Sequence, residues 1–170
     1  MSQTDFNKVA LILPKPNLIF EPEKWNKPRE VRGRNCFAYA VDELRLGFTM
    51  PGRIYKEGLG TISDNLIKDG FIRVLRHGVD PKLQHIFAYE SQLGHFIRLD
   101  GCGIWSHKNG YEPATNRDYK GKILTDPDKG VYYGLGPVHY NWEYYSLPAQ
   151  GVKFYPQSIA RSPIGSPGWR

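Results

Sequence analysis

The stretch GHFIRLDGCGIWSHK, residues 94–108, decides the fold that the sequence predicts. Apolar and polar side chains alternate in both of its halves, which is typical of β-strands, and the glycine-rich segment Gly101–Gly103 separates them. We therefore expect a β-hairpin. The two strands carry His95 and His107, twelve positions apart. The length of the turn decides whether these two side chains share one face of the sheet.

Two turn lengths are open at this hairpin. A three-residue loop over Gly101–Gly103 pairs Ile97 with His107, which places His107 on the face of His95 as its diagonal neighbour. A two-residue turn at Gly101–Cys102 slips the pairing by one residue and sends His107 to the opposite face. Periodicity alone does not choose between these registers.

Upstream of the hairpin, the segment NCFAYAVDELRLG predicts a helix over about Cys36–Leu46, with Asn35 as its N-cap and Gly47 as its end. Four apolar residues fall at helical spacing on one face: Phe37, Ala40, Val41 and Leu44. Cys36 lies in the first turn, where the helix dipole and unpaired N–H groups lower the pKa of a thiol. The same N–H groups stabilise an oxyanion beside the sulfur. A buried, inert thiol is the alternative.

The order of predicted elements indicates a single α+β domain built on an antiparallel sheet. Residues 1–34 are predicted to be an extended, proline-rich arm with one short strand in VALIL, residues 35–157 the core, and residues 158–170 a flexible tail. TISDNLIKDG predicts a second short helix. Further strands are predicted in FIRVLRHG, QHIFAYE, KGKILTD and HYNWEYYSLP.

Composition limits the possible partners. The net charge is +6, which favours anionic partners, but the basic residues are spread along the chain, as on a solvated surface. Two cysteines do not make a disulfide framework, and the apolar run Val9–Leu13 is too short for a signal peptide or a membrane span. We therefore expect a protein that is cytoplasmic as synthesised, with a phage or virion component and an exported effector as open possibilities. No zinc-binding spacing is present, so we expect no metal and no cofactor.

The motifs resemble one known family. A cysteine that begins a helix, followed by GHFIRL, a glycine-rich turn and a second histidine, is similar to the NlpC-type cell-wall peptidases of the papain-like superfamily. The similarity covers about residues 25–110 and departs from the family's DCSG motif, which reads NCFA here. The resemblance implies a papain-like fold with Cys36 as the nucleophile, His95 as the general base and His107 as the residue that orients the base.

The remaining site residues are expected around this triad. Asp100 is the alternative third residue, Asn35 supports the oxyanion, and Trp25 and Trp105 bind the substrate. The function that we expect is a cysteine-dependent hydrolase, a peptidase or amidase, which forms an acyl-enzyme on an amide or isopeptide bond. Its substrate would be peptide-like or a wall polymer.

Two alternatives to this function are open. The helix also resembles that of the lecithin:retinol-type acyltransferases, so a thiol acyltransferase or deamidase of the same fold is one of them. A non-catalytic binding protein associated with virions or nucleic acid is the other, and its basic surface would serve assembly.

Overall fold

The computed structural model describes residues 9–52, 60–132 and 140–154. Within these ranges the protein has an α+β fold of short helices on mostly antiparallel strands. The strands are β1 (Ala10–Ile12), β2 (Ile72–Val74), β3 (Ile86–Glu90), β4 (His95–Leu99), β5 (Trp105–Lys108), β6 (Ala114–Thr115), β7 (Trp142–Ser146) and β8 (Val152–Phe154). The helices are α1 (Pro22–Trp25), α2 (Pro28–Gly33), α3 (Cys36–Ala40) and α4 (Ile62–Asp69).

Six strands form one antiparallel sheet in the order β2-β7-β3-β4-β5-β6, and β1 pairs with β8 in a separate two-stranded ribbon. The predicted α+β class and antiparallel sheet are confirmed. The predicted strand KGKILTD is wrong, since that segment makes only an isolated bridge between Arg117 and Ile123. Two strands were not predicted from the sequence: β6, which is two residues long, and β8, whose partner lies near the other end of the chain.

The hairpin between β4 and β5 has the three-residue loop. Ile97 pairs with His107, and the Asp100 N–H donates to the Ile104 carbonyl at 2.9 Å. The loop closes because Gly103 has a φ of 81°, a backbone conformation that favours glycine. Of the two registers that the sequence left open, the structure has the one that puts both histidines on one face.

Successive side chains of β4 point to opposite faces of the sheet. We call the face of His95, Ile97 and Leu99 the histidine face, and the other face the helix face. The histidine face carries an apolar cluster rich in aromatic rings: Ile86, Ala88, Ile97, Leu99, Trp105, Leu124, Tyr132, Tyr140, Trp142 and Tyr144. The helix face is covered by α3, where the Phe37 and Phe96 rings lie 5.0 Å apart.

Helix α3 is shorter than predicted. It ends at Ala40 rather than continuing to Leu46, because Asp42 has a φ of 51° and turns its carboxylate inward. A 3-10 turn over Leu44–Leu46 follows. The predicted N-cap is confirmed, since the Asn35 Oδ1 accepts the Ala38 N–H at 3.0 Å. The second predicted helix is also confirmed as α4, which has a capping box at its start and Gly70 after its last residue.

The predicted arm is part of the folded core. The short strand in VALIL is confirmed as β1, but the description of residues 9–34 as extended is wrong, since they include α1 and α2. Both α1 and α2 begin at a proline, whose ring fixes φ at a value that suits the first turn of a helix. The N–H that proline lacks would have no partner within the helix at that position. Trp25 is fully buried. The predicted tail, residues 158–170, lies outside the described residues.

Candidate functional site

The two histidines form a hydrogen-bonded pair on the histidine face. The His95 Nε2 lies 3.0 Å from the His107 Nδ1, and the His107 Nε2 lies 3.0 Å from the Arg117 carbonyl oxygen. Because a carbonyl only accepts, the hydrogen of neutral His107 is on Nε2, and its Nδ1 accepts from His95. Burial lowers the pKa of both imidazoles, that of His95 well below its ordinary value, so the pair is neutral near pH 7.

A small cavity adjoins this pair. Its volume is about 130 Å³, and its walls include His95, His107, Glu112, Arg117 and Tyr132. Pockets that enclose drug-sized ligands measure roughly 300–1,000 Å³, so this cavity is too small to enclose one. Cys36 is not among the residues that line it.

Cys36 lies on the helix face. It is the first residue of α3 and is buried in the core, and its sulfur accepts a hydrogen bond from the Phe96 backbone amide. Burial raises the pKa of the Cys36 thiol, and this outweighs the hydrogen bonds and the nearby Lys108 cation, which lower it. The predicted low pKa at the helix N-terminus is therefore wrong. A five-residue helix gives only a weak dipole, and desolvation of the thiolate dominates.

The alternative third residue, Asp100, is held by another side chain. It accepts a hydrogen bond from the Arg98 Nε at 3.0 Å on the helix face, so it does not orient His95. Asn35 is fully used as a structural residue, because its Nδ2 donates to the Thr49 carbonyl at 3.0 Å while its Oδ1 caps α3. These contacts do not leave it free to support an oxyanion.

The two tryptophans that were expected to bind substrate are core residues. Trp25 donates from Nε1 to the Asp42 Oδ1 at 3.2 Å and packs edge-on against Tyr39. Trp105 packs against Tyr144 within the aromatic cluster and is 5% exposed. Neither indole presents a face to solvent on which a substrate could stack.

A buried charge network centred on Asp42 was not predicted from the sequence. Its carboxylate accepts from the Lys15 Nζ at 2.8 Å, the Lys24 Nζ at 2.7 Å and the Arg98 NH1 at 3.2 Å. Burial by itself would raise the pKa of Asp42, but the three cations hold it below its ordinary value. The only signal in the sequence is that charged residues adjoin apolar ones, Asp42 after Val41 in AYAVDEL and Arg98 between Ile97 and Leu99 in HFIRLD.

A buried lysine was also missed. The Lys108 Nζ donates to the Val31 and Arg34 carbonyls, both at 2.8 Å, and to the Gly110 carbonyl. It thereby satisfies backbone oxygens where α2 ends and α3 begins. Burial lowers the pKa of Lys108 to about 8. The ammonium group stabilises the junction that positions Cys36.

No group of three or more His, Cys, Asp or Glu side chains in residues 9–52, 60–132 and 140–154 is arranged to hold a metal ion. In the same residues, no helix is long and apolar enough to cross a membrane.

Fold and site together define a basic α+β domain with a neutral histidine pair, a small cavity and a protonated, buried thiol. No family model and no solved structure matches the chain. Insoluble matrix shell protein 1 of Ruditapes philippinarum is 33% identical over 134 residues, which cover 69% of this chain and 90% of that protein. The chain therefore belongs to the family of Insoluble matrix shell protein 1.

This membership corrects the predicted function. A relative named as an insoluble protein of a shell matrix contradicts the prediction of a cysteine-dependent hydrolase, thiol protease or amidase. The prediction failed because it rested on the spacing of Cys36, His95 and His107. A hairpin register and a helix start are sufficient to produce this spacing without any chemistry at the thiol.

Proposed function

We propose that this protein is a structural, non-catalytic component of an insoluble matrix outside the cell. The observation that carries the proposal is its membership in the family of Insoluble matrix shell protein 1, with 90% of that relative matched. The proposed location replaces the cytoplasmic one expected from the sequence, and the papain-like fold that the resemblance implies stays a prediction.

The contacts of the described residues favour a structural role. The charged groups of Asp42 and Lys108 hold segments of the chain together through hydrogen bonds and ion pairs, and Cys36 is a buried residue of the core. The cavity beside the histidines is too small to enclose a drug-sized ligand. These are properties of a domain that serves as a stable building block.

The net charge suggests the chemistry of the surroundings. A charge of +6 attracts acidic polymers at long range, and such attraction weakens as salt screens it. We propose that acidic matrix polymers are partners of this surface. Binding that does not change between low and high salt would contradict this part of the proposal.

Fractionation of the source tissue tests the proposed function. An antibody against the chain should detect it in the insoluble fraction that remains after extraction with detergent. Recovery of the protein in the soluble fraction alone would contradict the proposal. Purified protein should also bind to this insoluble fraction. The Cys36→Ala variant should bind as well as the wild-type protein, because the proposed role does not use the thiol, and a loss of binding in a correctly folded variant would count against it.

A further inference from the structure

Two tyrosines differ from the other described tyrosines in their exposure. The chain has eleven tyrosines, of which three lie outside the described residues. Of the eight described, six are buried, whereas Tyr111 is 60% exposed and Tyr119 is 73% exposed. A phenol buried inside a packed core is not accessible to a large reagent or to another chain, and exposed phenols differ in this respect.

Tyr111 lies at the tip of a closed turn. The Glu112 N–H donates to the Asn109 carbonyl at 2.8 Å, and the Asn109 side chain donates to the Glu112 carboxylate at 3.1 Å. The ring of Tyr111 packs on Phe48, with ring centroids 4.9 Å apart. These contacts hold the phenol in place at the surface.

Tyr119 lies in a second closed turn. The Gly121 N–H donates to the Asp118 carbonyl at 2.9 Å, and the Asp118 carboxylate accepts the Lys120 and Lys122 N–H groups, both at 2.9 Å. The backbone around Tyr119 is therefore fixed while its side chain faces solvent. The described part of the chain therefore presents two separate phenols, each on a rigid turn.

We propose that Tyr111 and Tyr119 are sites of oxidative cross-linking between copies of this chain, an inference that rests on the proposed function. A peroxidase with hydrogen peroxide removes one electron and one proton from each phenol. Two phenoxyl radicals from different chains then form a carbon–carbon bond between their ortho carbons, and the hydrogens on those carbons move to the oxygens. One hydrogen peroxide accepts the two electrons and two protons and becomes two molecules of water.

The number of sites determines the product. A chain with one reactive phenol forms only a closed dimer, whereas a chain with two joins two neighbours and grows without limit. Covalent, open-ended growth makes a folded basic domain insoluble without unfolding it. Tyr111 and Tyr119 together meet this requirement.

The test treats the purified full-length protein with a peroxidase and hydrogen peroxide. Electrophoresis under reducing conditions, which removes disulfides of Cys102, should show a ladder that extends beyond the dimer, together with dityrosine fluorescence. In a background in which Tyr55, Tyr133 and Tyr155, the tyrosines outside the described residues, are replaced by Phe, the Tyr111→Phe and Tyr119→Phe variants should each stop at the dimer, and the double variant should stay monomeric. Mass spectrometry should find the cross-links at these two residues.

The control is Tyr144→Phe, which removes a buried hydroxyl with no hydrogen-bond partner in the described structure and should leave the ladder unchanged. Circular dichroism checks that every variant folds. A ladder in the folded double variant, or no ladder in the wild-type protein, overturns the proposal. Binding of the protein to the detergent-insoluble fraction in the absence of oxidant tests the proposed function separately, since this binding requires no cross-link.

Discussion

Replacing Asp42 with Asn should strongly destabilise the protein. The amide has nearly the same shape as the carboxylate but lacks the charge that three cations, Lys15, Lys24 and Arg98, share. Breaking a buried ion pair by removing one partner costs about 3–5 kcal/mol. Arg98 keeps its contact with Asp100, so we expect the lower end, about 3 kcal/mol, a large part of the roughly 5–15 kcal/mol that a domain has.

Urea unfolding followed by circular dichroism measures this loss. The matched control is Asp126→Asn, which weakens a partly exposed ion pair with Arg76 and should cost less than about 1 kcal/mol. Limited proteolysis should also cut the segment around Lys15 and Lys24 faster in the Asp42 variant, because its anchor to the core is lost. A loss in the Asp42 variant no larger than that of the control would refute the view that buried charges hold this segment to the core.

Two further predictions concern acid and a helix cap. Burial lowers the pKa of His85 to about 4, so from about pH 6.5 downward the unfolded chain binds a proton that the folded protein does not. The free energy of unfolding should therefore fall by about 3 kcal/mol between pH 7 and pH 4 through this residue. Urea unfolding of the His85→Gln variant should show a correspondingly smaller fall, and an equal fall in variant and wild-type protein would contradict the role given to His85. Asn35→Ala should lower the free energy of unfolding by about 1–2 kcal/mol, since the Ala38 N–H and the Thr49 carbonyl lose their partner, while an unchanged value would show that the cap is dispensable.

The elements that the sequence predicted best are those fixed by local chemistry. Helix α4 has its capping residue and a terminal Gly70, so its bounds follow from a short segment. For the hairpin at Gly101–Gly103, the sequence limited the possible registers to two, because turn length alone determines which face of the sheet His107 occupies. Choosing between the registers required the backbone conformation of Gly103, which the sequence does not specify.

The parts that failed depend on contacts between distant segments. Helix α3 stops early because Asp42 meets cations that lie 18 and 27 residues before it, and no local pattern shows this. Strand β8 exists only because β1 pairs with it. The predicted low pKa of the Cys36 thiol was wrong for the same reason, since the burial of this first residue of α3 is a property of the assembled core.

The reactivity of the two thiols tests the central claim most directly, namely that Cys36 is a core residue and not a nucleophile. Iodoacetamide should label Cys36 at pH 7.5 roughly tenfold or more slower than the exposed Cys102, and the two rates should converge in urea. The Cys102→Ser and Cys36→Ser variants separate the two rates. Faster labelling of Cys36 in the folded protein, slowed by His95→Ala, would contradict this account.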